Sequence, residues 1–173
     1  MNELMKPSVR GMEAGDNRDL VLPKVLLMQK MSKLVDQGCK VGTLVNSLTL
    51  AEITDPTFVP GILHKFVDLY KNEGNKKNFV ERIVNLNDPK LEGRKFFDDE
   101  EGKSDAVAVM SFISLVQSNP MVINFSKTSM KAGKKLYTMA KMTNKDLFAF
   151  RYKLKVHSKT NEHGTFYTLD VEP

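Results

Sequence analysis

The sequence predicts a mainly β fold with a single helix. Five strands roll into a barrel, the helix lies between the third and fourth strands, and further strands are added at the N-terminal side. Three observations predict it. LFAFRYKLKVHSK (147–159) alternates between Phe148, Phe150, Tyr152, Leu154 and Val156 on one side and Arg151, Lys153, Lys155, His157 and Lys159 on the other. That period of two marks a half-buried strand. KTSMKAGKKLYTMAKM (127–142) changes to a helical period, with Met130, Gly133, Leu136, Tyr137 and Ala140 on one face. The content, 41% apolar and 27% charged, is that of a globular chain with a core.

The elements follow in order. Residues 1–20 are polar and read as a flexible arm, leaving 21–173 as one domain. VLPKVLLMQKMSKLV (21–35) starts extended at Pro23 and turns helical near Ser32. GTLVNSLTL (42–50) reads as a strand, and TFVPGILHKFVDLYK (57–71) as a longer one bent at Pro60-Gly61. NFVERIVNL (78–86) fits either a strand or a short helix. NDPKLEGRKFFDDEEGKSD (87–105) is a turn-rich acidic loop. DAVAVMSFISLVQ (105–117) is a strand, broken at Asn119-Pro120 before MVINFS (121–126). The helix comes next, then a hairpin turning through TNEHG into TFYTLDVEP. Strands, one helix and a closing hairpin in this order make the OB-fold, a barrel that binds oligonucleotides on one face. A generic α+β domain has the same element order.

No apolar stretch approaches the roughly 20 residues of a membrane span, and the N-terminus lacks the apolar middle of a secretory signal. Cys39 is the single cysteine, so a disulfide within the chain and a cysteine zinc site are excluded, and a reducing, cytoplasmic setting is expected. His64, His157 and His163 have no metal-ligand spacing, and no cofactor is implied. Asp88, Glu92 and Lys95 could be imagined holding Mg²⁺ as a nuclease does, but charged triples arise by chance in such a loop.

Charge is distributed unevenly. Residues 120–173 hold 10 Lys+Arg and 4 Asp+Glu within a chain of net charge +5. A basic surface with exposed aromatics suits single-stranded nucleic acid, which needs phosphate neutralisation and base stacking. In LHKFVDLYK (63–71), inward Leu63, Val67 and Leu69 leave Phe66 and Tyr70 outward beside Lys65 and Lys71; the competing reading puts both aromatics in the core. In the closing hairpin, a turn centred on Asn161-Glu162 sets Arg151 opposite Glu172, Lys153 opposite Asp170 and His157 opposite Phe166. Lys155 and Lys159 are then unbalanced. The helix lysines, including Lys131, with Lys127 before them, are either a contact surface or a solvated face.

VLPKVLLMQKMS, VGTLVNSLT, INFSKTSMKAGKKLYTMAKM and the hairpin through TNEHG together resemble phage-encoded single-stranded DNA-binding proteins of the OB-fold type. The motifs are Pro23 to Gln29, Thr128 to Leu136, and Asn161 to Gly164. The resemblance implies a non-catalytic protein that coats single-stranded DNA in phage replication or recombination. Its site would comprise Lys65, Phe66, Tyr70, Lys71, Lys127, Lys131, Arg151, Lys153, Lys155, His157, Lys159 and Phe166. Its partners would be single-stranded DNA and phage or host replication proteins, without a membrane, and a homo-oligomer is compatible with it. Two departures stand out: the stretch 72–104 has no cysteines, and the sequence ends at LDVEP where such proteins commonly carry an acidic tail. A strand-annealing protein, a metal-dependent nuclease and a structural phage protein are the alternatives.

Overall fold

A computed structural model describes residues 11–12, 14–30 and 32–173. Most of the arm expected over residues 1–20 therefore lies outside the described residues. The strands are β1 (Val25–Leu27), β2 (Leu44–Asn46), β3 (Thr57–Glu73), β4 (Lys76–Ile83), β5 (Ala106–Val116), β6 (Asn119–Ser126), β7 (Tyr152–Asn161) and β8 (Gly164–Glu172). The helix α1 (Met130–Met142) separates β6 from β7. Of NFVERIVNL (78–86), residues 78–83 form the end of β4 and the last three lie beyond it.

The expected OB-fold barrel is not what forms. β1 and β2 make a separate two-stranded sheet, and the other six strands make an antiparallel sheet in the order β6-β5-β3-β7-β8, with β4 also on β3. The end strands β6 and β8 do not pair with each other, so the sheet stays open. The reason lies in β3, which bends through a register shift between Pro60 and Ile62, as its Pro-Gly predicts. Its 17 residues are far longer than a typical strand. One edge pairs with β5 from Phe58 to Leu69; the other gives only Thr57 and Phe58 to β7 and then Val67 to Glu73 to β4. The far half of β3 thus extends beyond the body as a three-stranded sheet.

Between β6 and β8 lie α1 and the β1–β2 ribbon. The Val122 N–H of β6 donates to the Pro23 carbonyl at 2.8 Å. On β8, Gln29 Oε1 accepts from the Tyr167 N–H at 2.9 Å and Gln29 Nε2 donates to the Tyr167 carbonyl at 2.6 Å. The Leu169 N–H donates to Ser129 Oγ, and the Val171 N–H to the Asp170 carboxylate. Side chains therefore occupy the donors along the free edge of β8, which would otherwise template pairing with another strand.

The main core is built from Phe58, Phe112, Ile123, Phe125, Leu136, Leu154 and Val171, with Tyr152 and Leu169. α1 joins it through Ala132, Gly133, Leu136 and Ala140. A Cβ on Gly133 would lie 2.9 Å from the Phe125 Cβ, so glycine is what allows the helix to sit this close. A second cluster, Val67, Leu69, Ile83 and Ala106 with Leu91 and Phe96, lies under the loop that follows β4. On the opposite face of β3, Phe66 packs with Val107 and Val109.

Two local expectations shift. The break after β5 is at Gln117-Ser118, where φ is 51° and 65°, the two left-handed residues of a tight hairpin turn. Pro120 instead sits inside β6, an end strand where its missing N–H is tolerated. In the closing hairpin the register is displaced by two residues: Lys153 faces Glu172, Lys155 faces Asp170, His157 faces Thr168 and Lys159 faces Phe166.

Candidate functional site

A groove of roughly 620 Å³ runs between α1, the middle of β3 and β5, and the loop after β4. Local structure explains each wall. On α1, Met130, Lys134 and Tyr137 recur at i, i+4 and i+7 and form one flank of the helix. The facing wall carries Leu86, Leu91, Phe96 and Phe97, and the floor includes Val67, Ala108 and Met110. Three lysines, Lys65, Lys127 and Lys134, also line it. All three are exposed, and none has an ion-pair partner among the described residues. Phe97 is 77% exposed and Tyr137 44%, so the apolar lining reaches solvent.

Lys127 joins the sheet to the helix with φ of 49°, a left-handed conformation that costs a non-glycine residue about 1–2 kcal/mol. It lines both the groove and a smaller adjoining hollow with Phe96, Phe97, Asp98, Ser104 and Thr128. At this hollow the Lys77 ammonium donates to Ser104 Oγ at 2.7 Å, and the Ser104 N–H donates to the Asp98 carboxylate at 2.7 Å. Burial, and then the charges of Lys127 and Lys103, push the Lys77 ammonium below its ordinary value. The Ser104 N–H is the main cause holding the Asp98 carboxyl low. Asn72 Nδ2 donates to the Ser104 carbonyl, and the Tyr70 N–H to that of Asp105. These bonds anchor the loop to β3 and β4.

The residues expected to form one binding face are dispersed. Lys65, Phe66 and Lys127 line the groove, while Tyr70, Lys71, Lys131, Arg151, Lys153, Lys155, His157, Lys159 and Phe166 do not. Phe66 is 8% exposed, with the Arg82 guanidinium 3.8 Å above its ring; that guanidinium also grips Asp68 with two hydrogen bonds of 2.8 and 3.1 Å. Tyr70 packs edge-on against Phe79 under Lys77, and Lys71 lies 3.7 Å from Glu73. The stacking platform expected from Phe66 and Tyr70 is therefore already occupied by protein. On the hairpin, Lys155, expected to be unbalanced, pairs with Glu172 at 3.4 Å, and His157 lies 3.6 Å from Asp170, whereas Lys159 has no ion-pair partner among the described residues. Arg151, Lys153 and Lys159 are exposed, Phe166 is half-buried, and Lys131 is exposed on α1.

Of the groove residues, the sequence did not single out Leu86, Leu91, Phe96, Phe97 and Lys134, and it placed Met130 and Tyr137 on one face of the helix without assigning them to a site. FFDDEE held the signal: two adjacent aromatics in an acidic loop are out of place unless they cover something. Asp88, Glu92 and Lys95 do not assemble a nuclease site. The Asp88 carboxylate accepts from the Lys90 N–H, and Lys95 pairs with Asp99. Among the described residues, no cluster of three or more His, Cys, Asp or Glu is arranged to hold a metal. Among them, too, no helix is long and apolar enough to cross a membrane.

No curated protein and no solved structure matched the chain. A family model did, and it overturns the expected kinship with OB-fold single-stranded DNA-binding proteins, together with the replication and recombination role drawn from it. What survives of that resemblance is the bacteriophage connection. The match to the Pam3 phage gp34-like protein family runs over residues 1–173, and the chain belongs to that family.

Proposed function

We propose that this is a non-catalytic structural protein of a bacteriophage, acting by contact with other polypeptide, and that its groove receives a segment that is both apolar and acidic. The observation that carries this reading is the lining of the groove: an open apolar trough with three lysines that have no ion-pair partner among the described residues. Apolar lining supplies the driving force for a peptide, at roughly 25 cal/mol per Å² removed from water. Lysines at its margin select carboxylates and set the orientation of the segment. Tight protein contacts centre on such apolar positions, with polar groups at the rim.

The reading is tested by fluorescence anisotropy with a labelled peptide of sequence FFDDEE and, as a control of matched charge, an oligo-dT. Saturable peptide binding is expected, weakened about tenfold or more by Met130→Asp, which puts a carboxylate into the trough. Absence of binding, binding indifferent to Met130→Asp, or displacement of the peptide by the oligonucleotide at equal concentration would overturn it.

A further inference from the structure

The chain itself carries a segment with the chemistry the groove selects, and it stands beside the groove. In FFDDEE (96–101), Phe97 is 77% exposed. Glu100 and Glu101 are exposed and have no ion-pair partner among the described residues. The tip is held in shape: the Asp99 N–H donates to the Gly102 carbonyl, the Gly102 N–H donates back, and the Glu101 N–H donates to the Asp99 carboxylate. A preformed tip loses little freedom on binding. Phe97 lines its own groove from one wall, whereas Glu100 and Glu101 are not part of that lining, so these two carboxylates do not meet the groove's own lysines.

We infer that the occupant of the groove is a second copy of this chain, whose acidic tip at Phe97, Glu100 and Glu101 meets Lys65, Lys127 and Lys134, reciprocally, across a two-fold axis. An acceptor and a donor patch side by side on one surface are what an isologous pair requires, since each copy then offers both halves of the contact. The inference rests on the reading of the groove as a peptide site and goes beyond it by naming the peptide.

The test is sedimentation equilibrium of the full chain at low and at high salt, with two charge-reversed variants: Lys65→Glu with Lys134→Glu, and Glu100→Lys with Glu101→Lys. Every substituted side chain is exposed, and circular dichroism confirms folding. The wild type is expected to dimerise with concentration, less tightly as salt rises. Each variant alone should dimerise about tenfold or more weakly. An equimolar mixture of the two should recover the wild-type association, because each mixed pair restores opposite charge at both contacts. A wild type that stays monomeric, a dimer indifferent to both reversals, or a mixture that fails to recover would each overturn the self-pairing. A monomeric chain that nevertheless binds the FFDDEE peptide would remove the second copy and leave the groove reading standing. A monomer that does not bind the peptide would remove both.

Discussion

Gln29 holds both main-chain groups of Tyr167, accepting from its N–H at 2.9 Å and donating to its carbonyl at 2.6 Å. One side-chain amide thus takes the place of a neighbouring strand on β8. Gln29→Ala should cost about 1–3 kcal/mol, since both half-buried groups lose their partner. Urea denaturation checks the magnitude, and faster hydrogen exchange at the Tyr167 amide locates it. Gln29→Glu keeps the acceptor but turns a carboxylate oxygen toward the Tyr167 carbonyl, and is expected to be no better than alanine.

Gly133→Ala should reverse the usual effect of that substitution. In a free helix alanine gains about 1 kcal/mol over glycine. Here the new Cβ would lie 2.9 Å from the Phe125 Cβ, which is fixed to the β6 backbone and cannot swing away. Overpacking of this kind costs about 1–3 kcal/mol, so a net loss of stability is expected in thermal melts. A gain in stability would overturn this close approach of α1 to β6.

The Arg82–Asp68 pair should respond unequally to removal of its two members. Asp68 is buried, whereas the Arg82 side chain is 45% exposed. Asp68→Ala leaves a guanidinium that water can still reach, and a cost of about 1 kcal/mol is expected. Arg82→Ala strands a buried carboxylate and uncovers the Phe66 ring, so about 2–3 kcal/mol is expected. Arg82→Lys should fall between, because an ammonium cannot supply the two-pronged bond and the planar stack together. Equilibrium unfolding of the three variants decides the order.

The turn between β5 and β6 offers a gain. Gln117 and Ser118 both hold left-handed φ, where glycine and asparagine fit with less strain. Replacing the pair by Asn-Gly should stabilise the protein by about 0.5–1 kcal/mol. A rise in the urea midpoint with an unchanged slope is the expected readout.

Acid should loosen the molecule at two identified carboxylates. The Asp98 carboxyl is held below its ordinary 3.8, chiefly by the Ser104 N–H. Burial works to raise the Asp170 carboxyl, but the Val171 N–H, Lys135 and His157 outweigh it and bring it below 3.8. A carboxyl lowered on folding stabilises fully above its unfolded value, and that contribution fades as pH falls through the folded one. Urea midpoints should therefore be insensitive to these groups from about pH 5 to 7 and fall below about pH 4. Asp98→Asn should flatten part of that acid limb.

The strands, the helix and the bend at Pro60-Gly61 were legible because each is written in a local period or a local dihedral preference. The open path of the sheet was not, since whether β6 meets β8 depends on residues far apart in the chain. Placing a turn is also weaker than naming a face. The hairpin register moved by two residues, and because side chains alternate with that period, Tyr152, Leu154 and Val156 kept their inward side while every charge pairing changed. Phe66 did sit on the face opposite Val67, yet it was covered by Arg82, a residue of β4 whose strand character the sequence left ambiguous. The groove was hidden for the same reason: FFDDEE and Tyr137 meet only in three dimensions.

The two clusters beneath the groove give it a property that neither has alone. One wall belongs to α1 and the main core around Phe125 and Leu136; the other rests on Val67, Leu69 and Ile83, a smaller packing unit in the outlying part of β3. The groove is thus a seam between a strongly and a weakly bound unit, and such units open with different free energies. Anything lodged in the seam fastens the weaker one to the stronger. The outlying sheet would then gain rigidity from assembly rather than from its own sequence.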